Sequence, residues 1–112
     1  MDEVSVGLKI TLTSRQDAAH LGLDEDDLAE IGAALIRDPT RGRFSKNQTY
    51  RFDWRHVTVK YVLRFKESDE IVVYILRFQE RRNAPRNLGE AKSFARDLSL
   101  GVIRKKIEDL LE

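Results

Sequence analysis

Tyr50, Phe52 and Trp54 share one phase of a two-residue alternation, while Val57, Val59, Tyr61, Leu63 and Phe65 share the other. A β-strand sends successive side chains to opposite faces, so each run describes a strand with one buried face. The phase flips at Arg55-His56. One extra residue inverts an alternation, so the chain turns or bulges there. After a polar turn over 66–70, the nearly continuous apolar run Ile71–Phe78 reads as a central strand.

The first half of the chain supplies a further strand and its cover. Val4, Val6, Leu8, Ile10 and Leu12 alternate strictly with polar residues and glycine, the pattern of a half-buried strand. Ser14 with Asp17 predicts a capped short helix ending at Gly22. Asp24 is the expected N-cap of a second helix with Leu28, Ile31 and Leu35 on one face and acids in its first turns. Asp38-Pro39 stops it. After Pro85, Asn87 and Glu90 predict another helix start, with Ala91, Phe94 and Leu98 along it. Beyond a bend at Gly101, Ile103, Ile107 and Leu110 continue an amphipathic stripe. The order β-α-α-β-β-β-α predicts an α+β fold, a mostly antiparallel sheet with the N-terminal helices packed on it. With 112 residues the expectation is one domain over 1–112, its last part (83–112) a helical tail.

Charge is unevenly placed. Residues 1–39 carry three Lys or Arg against nine Asp or Glu, residues 40–66 eight against one, and residues 67–112 nine against nine. Basic charge gathered on one segment is the footprint of a polyanionic partner. The chain has no cysteine, which removes disulfides, thiolate zinc and a cysteine nucleophile. No apolar run reaches the ~18 residues of a membrane span, and Met1-Asp2-Glu3 is a poor signal-peptide start, so a cytoplasmic protein without membrane contact is expected. His20 and His56 stand in no metal-ligand spacing. No nucleophile triad motif or glycine-rich phosphate loop is present, and no cofactor or metal is expected.

Chemistry on RNA needs none of these groups. The 2′-hydroxyl beside each phosphate is the nucleophile. A protein adds a base for that hydroxyl, cations for the developing charge and an acid for the leaving oxygen. Lys, Arg, His and Tyr fill these roles, and they gather here: Lys46 in a polar loop, Arg55 and Arg77 as phosphate clamps, Arg81 beside them, and His56 able to titrate near neutrality. Lys60 lies opposite the apolar phase with Thr58 and Arg64, and Arg43, Arg64, Gln79 and Arg82 are candidate substrate contacts. The strand aromatics could stack unpaired bases, although the phase of Tyr50, Phe52 and Trp54 favours the core.

The stretches "LTSRQDAAHLGLDEDDLAEIGAAL", "RFSKNQTY", "FDWRHV" and "VVYILRFQER" resemble, in order and spacing, the MqsR family of toxins from bacterial toxin–antitoxin systems, within the RelE-like ribonucleases. The likeness covers about residues 8 to 82 and rests on Leu21-Gly22-Leu23-Asp24, Phe44-Ser45-Lys46, Trp54-Arg55-His56 and Arg77-Phe78-Gln79-Glu80. It implies a metal-independent mRNA endonuclease with single-stranded RNA as substrate and an antitoxin as partner. By this resemblance the active lysine is Lys46, and Arg55 stands where the family has glutamine. The active tyrosine is Tyr61, or Lys60 after a one-residue shift. Gln79 replaces the final-strand lysine, with Arg77 and Arg81 as compensating cations. A non-catalytic module of the same lineage is the alternative.

Overall fold

The computed structural model describes residues 5–45, 47–67, 69–81 and 99–112. The helix expected over 87–98, and the candidates Lys46 and Arg82, lie outside these residues. Strand β1 (Ser5–Ile10) is followed by helices α1 (Leu12–His20) and α2 (Glu25–Arg37), strands β2 (Arg43–Phe44), β3 (Tyr50–Trp54), β4 (Val57–Phe65) and β5 (Glu70–Glu80), and helix α3 (Leu100–Leu111). The strands form one sheet in the order β1-β5-β4-β3-β2. Only the β1–β5 pairing is parallel; the other three are antiparallel. The expected α+β class is therefore observed, with β2 as a short strand added inside the expected loop.

Local chemistry explains most boundaries. β1 stops at Ile10 rather than running to Leu12, and α1 starts earlier than a Ser14 cap requires. Thr11 is the reason: its hydroxyl donates to the Ile75 carbonyl (2.9 Å) and accepts from the Ser14 amide (3.1 Å). One side chain thus ends the strand and caps the helix, which leaves Leu12 exposed and Ser14 buried. α2 starts as expected. Asp24 and Asp27 exchange side-chain and backbone hydrogen bonds of 3.0 and 2.9 Å in a reciprocal capping box.

The core lies between one sheet face and the helices. Leu28, Ile31 and Leu35 of α2 bury together with Val57, Val59 and Tyr61 of β4 and Val73, Ile75 and Phe78 of β5. Tyr50, Phe52 and Trp54 pack partly buried against this cluster, in keeping with their phase. α3 covers α2 through Ile103 and Ile107. Its Ser99 end meets Glu25 at the start of α2, and Arg37 at the end of α2 donates to the Leu110 carbonyl, so the two helices run parallel. Gly32 permits this layering, since a Cβ there would lie 2.7 Å from Leu8 Cδ2 and 2.8 Å from Ile107 Cδ1. Sheet, α2 and α3 meet at that glycine.

Two irregularities position the other sheet face. Arg55-His56 forms the two-residue turn of the β3–β4 hairpin, where Arg55 adopts a left-handed φ of 52°. Such turns favour positive φ, which costs a non-glycine residue about 1–2 kcal/mol. The second is a bulge in β5. Lys60 opposes Arg77 while Tyr61 opposes Ile75, so Leu76 is an extra residue without a partner across the ladder. Val73 and Ile75 are therefore followed in the core by Phe78 rather than residue 77. Without the bulge, Arg77 would share the phase of Ile75 and point into the core.

Candidate nucleic-acid interface

Residues directly opposite in an antiparallel ladder project to the same side. Arg43 opposes Arg51, Arg51 opposes Lys60, and Lys60 opposes Arg77. Four cations thus form one row across four strands on the face away from the helices. Arg43, Arg51 and Arg77 are exposed and Lys60 is half-buried. Among the described residues, Arg43, Arg51 and Lys60 have no acidic partner. Arg77 does have one. Its guanidinium donates to both Asp17 carboxylate oxygens, at 2.7 and 3.2 Å, and Asp17 also accepts the Phe78 amide at 3.1 Å. That pairing raises the Arg77 pKa above its ordinary value, and it fixes the end of the row to α1. Asp53, Thr58 and Gln79 share the next row towards the hairpin, where the Thr58 hydroxyl donates to Asp53 at 2.7 Å.

Arg51 is absent from the sequence-derived candidates. The signal for it was available: Arg51 alternates with Tyr50 and Phe52, and an aromatic face turned to the core sends it to the opposite side. Arg64 lies on the same open face, further along β4 opposite Val72.

The hairpin end holds a different group. Arg55 stacks over Trp54 at 4.3 Å from the ring centroid and reaches Asp27 (3.4 Å) and Glu30 (3.6 Å). Burial, the largest influence on Asp27, raises its pKa above the ordinary value. His56 Nε2 lies 3.2 Å from the Leu21 carbonyl. Arg81 donates to the Arg55 carbonyl at 2.7 Å, and its amide donates to the His56 carbonyl at 2.9 Å. These three predicted residues sit together, but their contacts tie the hairpin to α1, α2 and the end of β5.

Tyr61 belongs to the opposite side. It is fully buried; its hydroxyl donates to the Pro39 carbonyl (2.8 Å) and accepts from the Gly42 amide (3.1 Å). Gly42 carries no side chain because a Cβ there would stand 2.7 Å from the Arg51 carbonyl and 2.9 Å from the Tyr61 hydroxyl. Burial pushes the Tyr61 hydroxyl above its ordinary pKa. Its ring stacks on Tyr50 at 5.2 Å, and Tyr50 meets Phe44 edge-on at 5.0 Å. The sequence-derived set therefore divides three ways: Lys60 and Arg77 with Arg43, Arg64 and Gln79 on the open face, Arg55, His56 and Arg81 at the hairpin, and Tyr61 in the core. Among the described residues no group of three or more His, Asp or Glu could hold a metal, and no helix is long and apolar enough to cross a membrane.

No family model matches the chain, and no curated protein matches it. Among solved structures it is similar to a chain of the toxin–antitoxin complex RelBE2 from Mycobacterium tuberculosis. That likeness has a TM-score of 0.52 and 25% identity, covering 71% of this chain and 95% of the other. The fold is RelE-like. A RelE-like toxin lineage is supported at this level.

Proposed function

We propose that this protein is an RNA-cleaving toxin of the MqsR-like kind, metal-independent and held inactive by an antitoxin. The row Arg43–Arg51–Lys60–Arg77 carries the reading. Like charges directly opposite one another weaken a sheet, and among the described residues three of these four cations have no acidic partner to offset the repulsion. Phosphates laid across the row would relieve it. The likeness to a toxin–antitoxin complex supports a toxin with an antitoxin partner.

In the proposed reaction the 2′-oxygen of the substrate attacks the adjacent phosphorus and forms a 2′,3′-cyclic phosphate. The 2′-hydroxyl gives its proton to a base, in this reading the neutral amine of Lys46 or a water molecule, and another proton is delivered to the departing 5′-oxygen. Arg51 and Arg77 would stabilise charge on the phosphoryl oxygens through paired donors. Lys60, the ammonium in the row, would donate that proton to the leaving oxygen, and Lys46 keeps the role its resemblance implies.

The test is incubation of the purified protein with RNA in EDTA. The expected products end in 2′,3′-cyclic phosphate and 5′-hydroxyl and disappear with Lys60→Ala or Arg51→Ala. RNA that stays intact at high protein concentration would overturn cleavage. The engagement of Arg55, His56 and Arg81 in internal contacts, with neutral Gln79 on the open face, favours a second reading. It is a module that binds RNA without cutting it, and intact RNA bound in a salt-sensitive complex would identify it.

A further inference from the structure

The chain has three tyrosines, and the core uses two of them. The third, Tyr74, lies on β5 between core-facing Val73 and Ile75, so its ring is on the opposite sheet face, where its same-face neighbour Val72 is buried. It opposes Val62 on β4 and Lys9 on β1, one same-face step from the Lys60–Arg77 pair. A same-face step along a strand spans about 6.7 Å. Tyr74 is half-buried, and its hydroxyl has no hydrogen-bond partner among the described residues.

Beside it stands a glycine that packing does not require. Gly7 opposes Val72, diagonally next to Tyr74. A Cβ at Gly7 would meet only Val72 Cγ2, at 3.9 Å, which is ordinary contact, and the backbone there is not left-handed. Glycine within a strand weakens it, and one without a local structural reason marks a place where a ligand comes close. Central-strand aromatics on an open sheet are also the surface on which single-stranded bases stack.

We propose that Tyr74 and the gap at Gly7 form a base-stacking slot that takes one nucleobase of single-stranded RNA, whose phosphates lie on the adjacent cationic row. The slot rests on the RNA-binding reading above and assigns it a contact that charge does not supply. Val62 flanks the ring on one side and Lys9 on the other. Stacking of this kind accepts any base, since every base has a π-face.

Binding of a fluorescent 2′-O-methyl RNA oligonucleotide, which cannot be cut by 2′-oxygen attack, tests the slot apart from catalysis. Tyr74→Ala and Gly7→Val are each expected to weaken binding about tenfold, with Tyr74→Phe within about twofold of wild type. Gly7→Val should melt at or above the wild-type temperature, which separates filling of the slot from unfolding. The slope of log affinity against log salt should be unchanged in these variants and lower by about one in Lys60→Ala. Replacing the oligonucleotide by one with abasic positions should erase the difference between wild type and Tyr74→Ala. Wild-type affinity in both Tyr74→Ala and Gly7→Val, with Lys60→Ala still weakened, would overturn the slot and leave the cationic row standing. No binding by the wild-type protein would overturn both.

Discussion

Tyr50 and Phe52 are one residue away from Arg51, yet the two sets occupy different media. The aromatic side chains line the helix-covered face, where Phe44, Tyr50 and Tyr61 form a ladder ending on a fully buried phenol. The alternate residues line the other face, where Arg43, Arg51 and Lys60 stand opposite one another with no acidic partner among the described residues. On the covered face the fully buried Tyr61 hydroxyl is satisfied by both the Pro39 carbonyl and the Gly42 amide, because desolvation is costly there. On the open face water screens the repulsion, so the row can persist and remain available to an anion. The same three strands thus separate the core from the cationic row by the parity of residue number.

Substitutions on the two faces should therefore fail in different ways. The largest loss is expected from Tyr61→Ala, about 3–5 kcal/mol by chemical denaturation, since a fully buried ring is removed. Tyr61→Phe keeps the ring but strands the Gly42 amide and the Pro39 carbonyl, for about 1–3 kcal/mol. Arg51→Ala should change stability by less than about 0.5 kcal/mol while lowering RNA affinity and the salt slope by about one phosphate contact. A large unfolding effect in Arg51→Ala, with RNA binding intact, would break the division between the faces.

Two titrations sharpen it further. Burial raises the pKa of Tyr61, so the unfolded chain ionises first as pH rises past about 10. Stability from this group is complete below that pH and falls above it, a loss that Tyr61→Phe should reduce. The Asp27 pKa is also raised, so the folded state holds its proton above the ordinary carboxylate value near 3.8. The contribution of Asp27 to stability should then decrease as pH rises through the acid range and level off once its folded form has ionised. NMR titration of the Asp27 carboxyl below its ordinary value would contradict this, and the effect is the smallest of those named.

Much of this was legible along the chain. The hairpin at Arg55-His56, the Asp24 cap and the core phase of Tyr50, Phe52 and Trp54 follow from local alternation and capping chemistry. The helix start at Thr11 was not, because its hydroxyl is fixed by a carbonyl on β5, 64 residues away. The basic segment was equally plain, but its sorting was not. Arg55, His56 and Arg81 face acids and carbonyls contributed by distant elements, while Arg51 joins the row through its partners on β2 and β4.

The sequence by itself determined which residues alternate, where the helices are capped and that positive charge gathers between residues 40 and 66, since each depends on neighbours a few positions apart. Only the tertiary structure decided which cations meet. Ile71–Phe78 is nearly continuous in apolar residues, so no alternation reveals that Leu76 is the extra one. The bulge becomes visible only when β4 lies against β5, and it turns Arg77 from the phase of the core to the side of Lys60. Register is a property of two strands together, and so is the row it assembles.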